Sequence, residues 1–136
     1  MIALLEPPRP AGFISGGYRY QDAIGRRIVQ WGHGQYLALP PSELAQAVVD
    51  LRARTPGAVL VVDGRFAELR REPLPRGCVA LLHMRPDWAW CDEPLHVIAT
   101  AATTAREVAP AARSVAVVRP GLEDCFQIAP FVPHGG

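Results

Sequence analysis

The sequence contains no lysine: its 14 basic residues are all arginine, balanced by 13 acidic ones to a net charge of +1. That balance gives no electrostatic case for nucleic acid or an acidic membrane surface. Cysteine is scarce. Cys78, Cys91 and Cys125 are odd in number, far apart and match no zinc or disulfide spacing, so free thiols in a reducing compartment are expected. No apolar run approaches the roughly 18 residues that a bilayer-spanning helix needs. The amino terminus lacks a basic segment followed by a long apolar one, so no signal peptide is expected either. The expectation is a soluble, cytoplasmic protein. Also missing are G-x-G-x-x-G, G-K-[ST], clustered metal ligands and a nucleophile–base–orienter set. No cofactor and no metal are expected, and no catalytic residue is assigned.

What is present is a globular composition, 49% hydrophobic and 20% charged in 136 residues, enough for one domain with a real core. Fourteen prolines fall between the periodic segments, where they act as punctuation. The organising stretch is Ile2 to Ile28. An apolar strand (Ile2-Ala3-Leu4-Leu5) leads through a Pro/Gly-rich loop to Ser15-Gly16-Gly17 and then to a helical pattern at Tyr20, Ile24 and Ile28. Ser15 is placed to cap that helix, and Gly16 and Gly17 allow close approach to its first turn. Free amides and the helix dipole there make an anion site, or the glycines serve only a tight turn.

Further strands read at Gln35–Leu39, Ala58–Val62, Cys78–Leu82, His96–Ala99 and Ser114–Val118. A helix capped by Ser42 carries Leu44, Ala47, Val48 and Leu51 at i, i+3, i+4 and i+7. Short helices follow around Phe66–Arg71 and from Thr100 or Thr103 to Pro110. The fold class is α/β: an open, mostly parallel Rossmann-like sheet of about six strands. Residues 1–121 form the domain and 122–136 a tail without a periodic element. Right-handed crossovers suggest the strand order 3-2-1-4-5-6. Ligands of such sheets bind beyond the carboxyl ends of the strands, an edge that gathers Gly16, Gly17, Asp63, His83, Arg85, Thr100 and Arg119. Each has an ordinary structural reading: Asp63-Gly64 as a turn, His83 as a donor to a carbonyl, Thr100 as a cap.

Phe13-Ile14-Ser15-Gly16-Gly17-Tyr18-Arg19-Tyr20 resembles the glycine loop and first helix of the amino-terminal domain of family-4-type GT-B glycosyltransferases. The resemblance continues through Val59–Gly64, Val79–His83, His96–Ala101 with Thr103–Ala105, and Val115–Gly121, in the family's order. It implies the acceptor-side half of a split or truncated glycosyltransferase that transfers sugar from a nucleotide sugar only with a donor-binding partner. Gly16 and Gly17 would meet the donor's phosphate, and Asp63 and His83 the sugar acceptor, with Ser15, Thr100 and Arg119 as further ligand candidates. The alternative is a non-catalytic binding or scaffold subunit with a degenerate fold of that type. The chain ends where the donor domain of the family would begin, so the isolated chain is expected to be inactive.

The link from His83 to Leu95 is 13 residues. A crossover with its helix needs at least about 10–12, so only a vestigial helix fits between strands four and five. An uncovered sheet face is one consequence. Trp88 and Trp90 would then mark an interface with a donor-binding subunit or a second copy. The alternative is that both tryptophans fold back over the sheet.

Overall fold

The structure is a computed structural model. It describes residues 1–9, 16–32, 34–86 and 89–118, with residues 16–18 taken by backbone alone. Six strands form one all-parallel sheet: β1 (Ile2–Glu6), β2 (Gly34–Ala38), β3 (Val59–Asp63), β4 (Val79–Leu82), β5 (His96–Ala99) and β6 (Ser114–Val117). The helices are α1 (Gly16–Gln30), α2 (Leu44–Arg54), α3 (Arg65–Arg70) and α4 (Ala102–Val108). The α/β class and the single open Rossmann-like sheet are as the strand and helix periodicities suggest.

The strand order is β2-β1-β3-β4-β5-β6, not 3-2-1-4-5-6. Both orders satisfy right-handed crossovers, so handedness does not choose between them. Burial does. Val59-Leu60-Val61-Val62 is a continuous apolar run and is buried from Leu60 onward, whereas no residue of β2 is more than half-buried. A doubly apolar strand belongs inside a sheet and a half-polar one at its edge. The crossover through α2 therefore returns past β1 and seats β3 on its far side, paired in register from Ile2↔Val59 to Leu5↔Val62. The order reverses between β1 and β3, which is where such sheets hold ligands.

The same handedness sorts the coverings. Moving from β1 to β2 puts α1 on one face; every later crossover runs the other way and lands on the opposite face. That second face carries the main core, in which Ala3, Leu5, Val62, Ala80 and Leu82 meet Leu44, Val48 and Leu51 of α2, Phe66 of α3 and Val108 of α4. The α1 face has a smaller cluster of Leu4, Tyr20, Val61 and Leu81.

The short link after β4 contains no helix among its described residues. Trp90, expected as an interface candidate, is 7% exposed and sits in the main core, and its carbonyl accepts from the Leu74 amide (2.8 Å). A large ring thus joins the main core from a link that carries no helix among its described residues. Trp88 lies outside the described residues. The short crossover thus leaves its own face covered; among the described residues the cluster on the other face is the smaller. Capping also differs from expectation. Ser42 lies within a 3-10 turn (Pro41–Glu43), α2 has no side-chain cap, and Ala101 rather than Thr100 or Thr103 precedes α4.

Candidate functional site

Side chains alternate along strands, and β1, β3 and β4 are neighbours roughly 4.8 Å apart. Glu6 continues the alternation of Leu4, Asp63 that of Val61, and His83 that of Leu81. All three reach the carboxyl edge on the face that α1 covers. Thr100 follows Ile98 in the same register.

Glu6 is 4% exposed, and Gln21, from the second turn of α1, is fully buried beside it. Gln21 Nε2 donates to Glu6 Oε2 (2.6 Å), and Gln21 Oε1 lies 2.5 Å from His83 Nε2. A carboxylate only accepts, which fixes the amide with its oxygen toward the imidazole. His83 Nε2 must then carry the hydrogen, and Nδ1 is the basic nitrogen. Tyr20 packs edge-on against the imidazole, with ring centroids 5.8 Å apart. Burial holds the His83 pKa below its usual value; Arg65 adds to this, and the charges of Asp63 and Glu6 oppose it. The ring is therefore a neutral base at neutral pH.

The other oxygen of Glu6 enters a second set of bonds. Tyr36 Oη donates to Glu6 Oε1 (2.6 Å), and Arg9 Nη2 donates to the same oxygen (3.0 Å). The Arg9 guanidinium also takes Asp22 in a two-pronged grip, Nη1 to Oδ2 (2.9 Å) and Nη2 to Oδ1 (2.7 Å). That grip lowers the Asp22 pKa, aided by the Tyr36 hydroxyl, while burial opposes. Burial, then the bond to Glu6, raises the Tyr36 pKa, so the phenol stays protonated. Tyr36 is brought within reach of this cluster by Gly25, where any Cβ would run into the tyrosine ring. A glycine in mid-helix lets α1 lie directly on β2.

Asp63 is 1% exposed and is held by its own neighbour. The Arg65 amide (2.9 Å), Nε (3.1 Å) and Nη2 (2.9 Å) all donate to its carboxylate. Thr100 is buried, its amide donating to the Leu82 carbonyl (3.2 Å), while Thr104 Oγ1 donates to the His83 carbonyl (3.3 Å). Gly16 and Gly17 open α1. Ser15 and Arg119 lie outside the described residues.

The edge thus brings Asp63 and His83 together with residues absent from the sequence reading: Glu6, Arg9, Gln21, Asp22, Tyr36 and Arg65. Glu6 was within reach of the rule that found Asp63, since both end an apolar strand. Among the described residues no group of His, Cys, Asp and Glu is arranged to hold a metal, and no helix is long and apolar enough to cross a membrane. Compared with protein-family models, curated proteins and solved structures, the chain matches none.

Proposed function

We propose that the carboxyl edge beside α1 binds a small hydroxyl-bearing ligand through His83. In this reading the chain is the acceptor-side half of a split or truncated GT-B-type glycosyltransferase, working with a donor-binding partner. The observation that carries the reading is the Glu6–Gln21–His83 relay at the strand-order reversal. A relay that fixes Nε2–H leaves Nδ1 to accept a proton or a hydrogen bond from a substrate hydroxyl, the role a general base requires. The start of α1 at Gly16-Gly17 offers amides and a dipole to a donor phosphate. The glycosyl-transfer part rests on the resemblance of Phe13–Tyr20 and the later segments.

A second reading is a non-catalytic binding subunit. It is favoured by one feature: Glu6, Asp22 and Asp63 are already engaged by Arg9, Gln21, Tyr36 and Arg65. Carboxylates so occupied are not free for chemistry. The test is a titration of the isolated chain with mono- and oligosaccharides and nucleotide sugars, following the imidazole C–H resonances by NMR. Saturable shifts of His83 that vanish in His83→Phe support the binding site. Absence of any His83 response across the panel overturns it. Product formation by the chain mixed with a donor-binding protein separates the enzyme half from the binding subunit, and turnover by the chain alone would contradict the need for a donor-binding partner.

A further inference from the structure

The amino ends of β4, β5 and β6 stand level, with Val79, His96 and Ser114 paired across the sheet. At this edge, opposite the one that carries Asp63 and His83, opens a cleft of about 490 Å³. Pockets that hold small molecules run from about 300 to 1,000 Å³ and combine apolar lining with a few converging polar groups. Here Cys78 and Leu95, 1% and 2% exposed, supply apolar lining together with Pro94. Glu93, His96 and Arg113 bring the polar groups.

Those groups are held through the backbone. The Gly77 amide donates to Glu93 Oε1 (3.1 Å), and Gly77 stands at φ +74°, a setting that a side chain would strain. That bond seats the carboxylate on the β4 side of the cleft. Arg113 sits across β5 from it, its own amide donating to the Leu95 carbonyl (2.8 Å). His96 is tied through Nδ1 to Ser114 Oγ (2.5 Å), so Nε2 is its remaining polar atom. The neighbouring cations are spent elsewhere. Arg52 Nη2 donates to the Arg76 carbonyl (2.5 Å), and Arg76 pairs with Asp92 (3.3 Å). Among the described residues neither Glu93 nor Arg113 enters an ion pair, with each other or with a third group.

A carboxylate and a guanidinium that share a cleft without meeting select for a ligand that carries both charges. A simple anion at Arg113 stays beside the Glu93 carboxylate, and a simple cation at Glu93 stays beside Arg113. Each gains one attraction and keeps one repulsion. We propose that this cleft binds a small aliphatic zwitterion of the amino-acid kind, its ammonium on Glu93, its carboxylate on Arg113 and its carbon frame against Pro94 and Leu95. Arginine suits the second role, since its forked donors match a carboxylate. The proposal is independent of His83 and of the function proposed for the carboxyl edge.

The test is an NMR titration of the full chain with glycine, β-alanine, γ-aminobutyrate and ε-aminohexanoate, a series that steps the two charges apart. Saturable shifts of the Gly77 and His96 amides and of the Arg113 side-chain Nε–H are expected, strongest at the length that spans the cleft. Butyrate and butylamine, with one charge each, should bind at least about tenfold more weakly, the least expected when one charged partner is lost. The best zwitterion should weaken by at least the same factor in Glu93→Gln and in Arg113→Gln. Glu93→Gln keeps an oxygen for the Gly77 amide, so the fold and the His83 resonances should be retained. If a variant unfolds, the wild-type contrast between zwitterion and single-charge ligands decides. No saturation across the series would overturn the proposal. So would equal binding of butyrate or butylamine, undiminished binding in both folded variants, or shifts confined to the carboxyl edge.

Discussion

Glu6 and Asp63 end neighbouring parallel strands, and both are nearly inaccessible, yet they are held in opposite ways. Asp63 is clasped by Arg65, two residues on, through backbone and side chain together. Glu6 draws on Arg9, Gln21 and Tyr36, from a loop, a helix and an edge strand. The first arrangement is local and self-contained. The second exists only when three elements have come together, so it reports on tertiary structure and couples the helix, the edge strand and His83. A buried carboxylate held locally can be altered with limited consequence; one held by distant groups takes its partners with it.

Several substitutions would break or sharpen that contrast. The largest effect is expected from Glu6→Ala, which strands the buried Gln21 amide and removes an acceptor from Arg9 and Tyr36. By analogy with broken buried pairs it should destabilise by about 3–5 kcal/mol, read as a lower urea midpoint. Arg65→Ala should cost less, about 2–3 kcal/mol, because Asp63 keeps the backbone amide. Adding Asp63→Ala to Arg65→Ala should recover part of that loss, since the uncompensated charge goes with it; simple additivity would show that the pair is not coupled. Gly25→Ala should cost about 1–3 kcal/mol by forcing Tyr36 aside. It should also broaden the His83 resonances through the Tyr36–Glu6–Gln21 chain, an effect that Arg65→Ala should lack.

The smallest effect is the dependence of stability on pH through His83. Its folded pKa lies below the ordinary histidine value of about 6.5, so the unfolded chain binds the proton more readily. Stability is therefore full above pH 6.5, falls as pH drops from there toward the folded pKa, and levels off below it. His83→Phe should remove that slope and leave the separate loss at lower pH, where Asp22 gives up its bond to Arg9. A slope unchanged in His83→Phe would assign it elsewhere.

How far the sequence revealed this molecule follows the same division between local and distant. Strand and helix positions are local, and apolar runs such as Val59–Val62 and the Leu44/Val48/Leu51 stripe declare them. Asp63-Gly64-Arg65 carries its own partner within three residues, and Asp63 was found. Gln21 and Tyr36 are ordinary polar residues on half-buried elements; nothing within a few positions says that both converge on Glu6, 15 and 30 residues away. The strand order was legible in principle from the polarity of β2 against β3, since an edge strand tolerates what a central one does not. The fate of Trp90 was not. An indole after a short crossover suits an interface and a core equally until its neighbours are placed.

The central seat of β1 sets a timetable. Its inner neighbour is β3, whose partners lie more than fifty positions later in the chain, as in Ile2↔Val59. A ribosome therefore releases β1, α1 and β2 as a unit in which the inner edge of β1 stays bare until β3 arrives. Pairings so distant in sequence are slow to form and vulnerable while they wait. Nascent chains stalled before β3 has emerged are expected to be cleaved readily by protease within α1, and chains stalled after β3 has paired to resist. Early resistance would mean that the first βαβ unit stands without its neighbour. In this protein the middle of the sheet is begun first and finished late, so the time between those two events is when the nascent chain is most exposed to mispairing.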